Sequence, residues 1–133
     1  MVEYISVYDL KDDKDKISNI QKATLTTDYA GLKIEHGLFG TEEWWQAVNN
    51  GLFLKKMIEG KISKVYMSGH GSNYPEFEIE NVEGKTQWTR EGEDKYFVVG
   101  KKVRLAYIPQ KFKQPSKILG EHSKTVLKIE IEK

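Results

Sequence analysis

Short stretches in which apolar and polar residues alternate fill the chain from Gly60 to Ile108, with turn residues between them. These stretches are Gly60–Met67, Pro75–Glu80, Thr86–Arg90 and Gly100–Ile108. Alternation with a period of two is typical of strands buried on one face, and regularly spaced turns are typical of an antiparallel meander. The pattern predicts a mainly β fold: a single antiparallel β-barrel, either OB-like or a related meander.

The remaining segments extend the predicted sheet. Further segments whose composition favours β-strands are Glu3–Asp9, Ile20–Thr27, Leu32–His36, Leu52–Ile58 and Thr125–Glu132. In the second of these segments, Ala23 and Leu25 are expected on one face and the threonines on the other. The charge run at Lys11–Lys16 predicts an exposed loop. A further loop is expected to close at Ile118–Gly120, after Pro115.

One short α-helix is predicted near residues 42–50. Thr41 is a good N-cap, and the two glutamates that follow it complement the helix dipole. A single apolar stripe is formed by Trp44, Trp45, Val48 and Leu52. Because Val48 is the i, i+4 neighbour of Trp44, we expect Trp44 in the core and Trp45 at its margin.

The order of features from Gly60 onward resembles an OB-type barrel. A strand follows Gly60, a long hairpin has a kink at Gly84, and a strand led by Gly100 precedes a closing strand. The resemblance covers about the last half of the chain, and it implies a ligand face bordered by the first hairpin loop. The helix that such barrels carry between their third and fourth strands has no room between Arg90 and Tyr96.

Length and composition narrow the class of protein. A chain of 133 residues predicts one domain, spanning 1–133. The net charge is +1, with 12 basic and 17 acidic residues in 1–100 (−5) against 9 and 3 in 101–133 (+6). The chain has no cysteine, so it has no disulfide and no thiolate metal site. It also has no apolar run that could cross a membrane, and we expect a soluble, cytoplasmic protein.

No catalytic or metal-binding motif stands out. The three histidines, His36, His70 and His122, lie far apart and have no metal-ligand spacing, so no metal or cofactor is predicted. Ser68 and His70 share a glycine-rich loop, but nothing around them has the arrangement that a serine nucleophile requires. Glu76, Glu78 and Glu80 share one strand face and one environment, which favours a solvated face over a catalytic pair.

Candidate ligand-binding residues fall into two groups. Loops often carry binding residues, and aromatic rings beside basic side chains can hold single-stranded nucleic acid. The candidates on these grounds are Ser68, His70, Asn73, Tyr74, Trp88, Arg90, Arg104, Lys111, Phe112 and Lys113. Trp88 is the best stacking platform of this set, although it is also expected as a core aromatic. Lys111–Lys113 lies between two prolines and is predicted to be a loop that exposes Phe112.

Three functions stay open from the sequence. The favoured hypothesis is a binding module without catalytic activity, whose partner is another protein. The alternative is an OB-type binder of single-stranded nucleic acid or oligosaccharide. Nucleic acid is possible but not favoured, because the net charge is close to neutral. The third hypothesis is a small hydrolase that uses His70. Whether the protein is an enzyme is uncertain, and the absent motifs favour that it is not.

Overall fold

The computed structural model describes residues 2–116 and 120–133. Six strands and two α-helices make up these residues, together with short 3-10 helices at Leu10–Asp12 and Asp94–Tyr96. In chain order, the strands and α-helices are β1 (Tyr4–Asp9), α1 (Lys14–Thr26), α2 (Glu42–Asn49), β2 (Lys56–Ser68), β3 (Tyr74–Asn81), β4 (Gly84–Thr89), β5 (Lys102–Ser116) and β6 (Gly120–Glu132).

The strands form one six-stranded sheet in the order β1-β6-β5-β2-β3-β4. Antiparallel pairing joins β1 to β6, β2 to β3, and β3 to β4. The predicted fold class is therefore confirmed: mainly antiparallel β, with a meander from β2 to β4 and a short helix near residues 42–50. Each strand of the meander coincides with one of the alternating stretches, which bury Ile62, Phe77, Ile79 and Trp88 on one face.

The chain divides into two compact units that share β5 and β6. Unit 1 comprises residues up to Asp9, Met57–Ala106 and Lys128–Lys133, and unit 2 comprises Leu10–Lys56 and Tyr107–Leu127. The core of unit 1 includes Tyr8, Ile62, Phe77, Ile79, Trp88, Phe97, Val103, Leu105, Ile129 and Ile131. The core of unit 2 includes Leu10, Leu32, Phe39, Trp44, Ala47, Val48, Phe53, Ile108 and Leu127. The single domain at 1–133 stays a prediction.

The predicted strand at Ile20–Thr27 is wrong, because this segment belongs to helix α1. The Asp13 carboxylate caps the helix by accepting a hydrogen bond from the Lys16 amide at 3.2 Å. The predicted loop at Lys11–Lys16 is therefore wrong, because it is divided between the 3-10 helix and α1. Thr24 is buried whereas Thr26 is exposed, so the two threonines do not share a face as expected. The threonine hydroxyls donate to carbonyls four residues earlier, so each hydroxyl has a partner within the helix.

Two further local predictions are wrong for a common reason. Lys111–Lys113 is not a loop but part of β5, and Leu32–His36 contributes one isolated bridge, Leu32 to Phe112, rather than a strand. The Lys33 amide donates to the Lys111 carbonyl at 2.8 Å, and the Lys113 amide donates to the Gly31 carbonyl at 3.1 Å. These bonds join segments about 80 residues apart, and local turn chemistry cannot reveal such pairing. In the loop predicted at Ile118–Gly120, the first two residues lie outside the described residues and Gly120 begins β6.

Helix α2 follows its prediction closely. The Thr41 hydroxyl accepts from the Trp44 amide at 3.4 Å, and the helix ends at Asn49. Trp44 is completely buried against the rings of Phe39 and Phe53, whereas Trp45 is partly exposed, as expected. One member of the predicted stripe is wrong: Leu52 lies past the helix end and is 58% exposed.

Candidate functional site

The Ser68–Asn73 loop is an exposed turn between β2 and β3. Ser68 pairs with Tyr74 where the two strands end, and the Ser72 amide donates to the Gly69 carbonyl at 3.1 Å to close the turn. The Ser68 hydroxyl donates to the Glu76 carboxylate and not to His70. Within the described residues, His70 is exposed and has no hydrogen bond or ion pair. The loop therefore lacks the base–nucleophile contact on which a hydrolase would depend.

Glu76 and Glu78 lie in a hydrogen-bonded network on one face of the meander. The Glu78 carboxylate accepts from the Ser63 hydroxyl at 2.9 Å and from the Gln87 amide at 3.0 Å. These two bonds hold the pKa of Glu78 below its ordinary value, since they stabilise the ionised form. Each carboxylate therefore has neighbours within the protein, and this favours a structural role over an acid–base pair.

Tyr66 belongs to the same network. Its hydroxyl donates to the Glu76 carboxylate at 3.2 Å. Burial raises the pKa of Tyr66 above its ordinary value, and the adjacent carboxylates of Glu76 and Glu78 act in the same direction. The phenol therefore stays protonated at neutral pH, where it is a hydrogen-bond donor to Glu76.

Trp88 and Arg90 were both predicted as ligand-binding residues, but both side chains make contacts within unit 1. Trp88 is only 4% exposed, and its indole N–H donates to the Thr86 hydroxyl at 2.8 Å. The ring therefore matches the expected core aromatic, and little of it is accessible to a stacked base. Arg90 donates to the Tyr66 carbonyl at 3.2 Å and pairs with Asp94 at 3.6 Å.

Arg104 also has partners within unit 1. Its guanidinium lies 3.4 Å from the Glu130 carboxylate and 3.9 Å above the Tyr4 ring centroid. A guanidinium that is both paired and stacked is held in one orientation.

The predicted candidate Tyr74 is accessible, because its side chain is 60% exposed at the start of β3.

A groove of about 320 Å³ in unit 2 contains the other three candidates. Its lining comprises Lys33, Lys111, Phe112, Lys113, Pro115 and Glu121, and we call it the basic groove. The Lys113 ammonium is already bound, because it donates to the Thr24 carbonyl at 2.6 Å and to that of Thr27. Lys33 and Lys111 are exposed at its rim. The sequence pattern missed Lys33, which comes from a distant segment, and Glu121, which lies near the start of β6.

A second groove, of about 360 Å³, lies in unit 1 beside the β3–β4 turn. We call it the hairpin-tip groove, and its lining comprises Met57, Ile58, Glu59, Asn81, Val82 and Glu83. None of these residues belongs to the binding candidates predicted from the sequence. The one available signal was an apolar residue, Val82, placed inside a polar turn that ends at Gly84.

The comparison with protein families gives a match over nearly the entire chain. The model of the family described as Immunity protein RhsI2 matches residues 2–132. The chain belongs to the RhsI2 immunity protein family. No curated protein sequence matches it.

Family membership supports the predicted class of function. An immunity protein acts on another protein, so the RhsI2 family supports a protein partner and an interaction module. Two structural findings accompany it. In residues 2–116 and 120–133 of this RhsI2 family member, no three histidine, aspartate or glutamate side chains are grouped to hold a metal ion. No helix in the same ranges is long and apolar enough to span a membrane.

Proposed function

We propose that this chain neutralises a toxin protein by binding it. The observation that carries the proposal is the RhsI2 immunity family match over residues 2–132. The chain would act stoichiometrically, by holding the toxin in a complex, with no covalent chemistry of its own. The grooves and exposed side chains of the two units are the surfaces available for that contact.

The described surface supports a protein partner over a nucleic acid. Side chains that are both apolar and more than half exposed include Met57, Tyr74 and Val82 of unit 1. Tyr and Met are enriched at protein interfaces, and grouped exposed apolar side chains mark surfaces that a partner covers. The alternative function, an OB-type nucleic-acid binder, would need accessible aromatic rings beside basic groups. Trp88 is buried, and Arg90 and Arg104 are paired with carboxylates of the same unit, so this alternative has less support.

Co-expression tests the proposal. Candidate toxins from the source genome are produced in a test bacterium with and without this chain, and growth is followed. We expect one toxin to arrest growth alone and to be tolerated when the chain is present. The two purified proteins should then form a complex, and loss of toxin activity should reach its end point at a fixed molar ratio.

A different stoichiometry would contradict the mechanism. If one molecule of the chain inactivated many toxin molecules, it would act as an enzyme rather than by occupancy. Protection without any complex would equally contradict binding as the mode of action. The predicted cytoplasmic location stays a prediction, and cell fractionation during the same experiment tests it.

A further inference from the structure

The hairpin-tip groove presents apolar side chains to solvent. Val82 is 104% exposed, which means that no neighbouring group covers it, and Met57 is 54% exposed. Exposing an apolar side chain this fully gains nothing for folding, because its hydrophobic surface stays in water. Grouped exposed apolar residues are characteristic of a surface that is covered by a partner.

The groove is also held in a fixed shape. The Asn81 side-chain amide donates to the Glu59 carbonyl at 2.9 Å, and its oxygen accepts from the Glu83 amide at 2.9 Å. One side chain therefore fixes the turn and ties it to the start of β2. At Gly60, a Cβ would lie 2.5 Å from the Glu80 carbonyl, so this close strand approach requires glycine. A surface held in this way loses little conformational entropy when it binds.

The ionisable groups that line the groove are both acidic. Glu59 and Glu83 are its two ionisable lining groups, and both are exposed. Within the described part of the chain, neither carboxylate has a cation at ion-pair distance. Nearby Glu80, in contrast, pairs with Lys85 at 3.5 Å. An apolar centre flanked by unpaired carboxylates complements a partner surface with an apolar recess and lysine or arginine at its rim.

We propose that the toxin docks on the hairpin-tip groove, with Val82 inserted into an apolar recess and Glu59 and Glu83 facing basic side chains of the toxin. This inference rests on the proposed function. It assigns two roles: Val82 and Met57 limit dissociation, because they are buried in the complex, and the carboxylates speed association by attracting the basic surface.

The test uses a toxin that the unaltered chain neutralises, so the proposed function is established before the site is examined. Binding kinetics are measured for Val82→Asp and for the double variant Glu59→Lys/Glu83→Lys. We expect Val82→Asp to weaken binding at least about 100-fold, mainly through faster dissociation. The double variant should slow association by about tenfold or more at low salt, and the difference from wild type should shrink as salt is added.

Matched controls separate this site from general effects. Val99→Asp places the same charge on another exposed valine of unit 1, and Glu93→Lys/Glu3→Lys changes the net charge by the same amount. Both controls should bind within about threefold of wild type, and thermal unfolding should show that every variant is folded. The replaced side chains are exposed, so folding should survive each change.

Three outcomes would overturn the inference. If Val82→Asp and the double variant bind like their controls, the toxin docks elsewhere, and the proposed function stands without this site. If binding is lost in the double variant Lys33→Glu/Lys111→Glu and not in those variants, the toxin docks on the basic groove. If the unaltered chain neutralises no toxin, the proposed function itself fails, and this inference falls with it.

Discussion

The indole N–H of Trp44 donates to the Oε1 atom of Gln110 across 3.3 Å, and both side chains are buried in unit 2. The Gln110 amide in turn donates to the Lys33 carbonyl at 3.2 Å. A buried amide is tolerated only when its polar atoms have partners, and here both ends are satisfied. Helix α2, strand β5 and the segment at Lys33 are therefore joined through one glutamine.

Replacing Trp44 should destabilise the protein strongly. Trp44→Ala removes a fully buried indole and leaves the Gln110 oxygen without its donor, and we expect a loss of about 3–5 kcal/mol in the free energy of unfolding. Trp45→Ala is the matched control, since its partly exposed ring should cost less than about 2 kcal/mol. Urea unfolding measures both values. Equal losses for the two variants would contradict the docking of α2 through Trp44.

The sheet could be predicted where local pattern and burial agree. In β3, Phe77 and Ile79 alternate with glutamates, and this alternation survives in the structure because one face of the strand is buried. Helix α1 was missed because threonine alternation around Thr24 imitates a strand. The helix is supported by the Asp13 cap and by long-range contacts such as the Leu32 amide donating to the Thr24 hydroxyl, which a two-residue period does not encode.

The candidate sites were harder to predict than the fold. Residue type alone marked Trp88 and Arg104 as binding groups, yet whether a ring or a guanidinium is free depends on neighbours that only folding brings near. The hairpin-tip groove joins the start of β2 to the β3–β4 turn, which are more than 20 residues apart. The turn at Val82 has a local signal, but its closeness to the start of β2 depends on that long-range pairing.

Lys113 should stabilise the C-terminal end of α1. Its ammonium donates to the carbonyls of Thr24 and Thr27, which have few other donors at a helix end. We expect Lys113→Met, which keeps the aliphatic length, to lower the free energy of unfolding by about 1.5–3 kcal/mol. The neighbouring exposed Lys111 provides the control, since Lys111→Met should stay within about 0.5 kcal/mol. Chemical denaturation measures the free energy of unfolding of both variants. Equal values would mean that Lys113 is a solvated lysine and not a helix cap.

Glu78 should make stability depend on pH in the acid range. Hydrogen bonds from Ser63 and Gln87 lower the pKa of Glu78 in the folded state, so the folded protein holds this proton less tightly than the unfolded chain. The resulting stabilisation is fully present above the ordinary carboxyl pKa and is lost as pH falls through the lowered value. In Ser63→Ala, the Glu78 pKa should move up towards the ordinary value, which an NMR titration of the carboxyl carbon measures directly. An unchanged titration would show that the Ser63 bond does not stabilise the carboxylate.

His70 should matter little for folding. It is exposed in the turn between β2 and β3, and within the described residues it makes no hydrogen bond whose loss would leave a buried group unsatisfied. We therefore expect His70→Ala to change the free energy of unfolding by less than about 0.5 kcal/mol, as for ordinary surface substitutions. Ser68→Ala is the informative comparison, because it removes the hydroxyl that donates to Glu76 and should cost about 0.5–1.5 kcal/mol. Any effect of His70→Ala should then appear in toxin binding alone. A destabilisation above about 2 kcal/mol would instead mean that the imidazole is packed or bonded in solution, and the loop would no longer be a candidate binding segment.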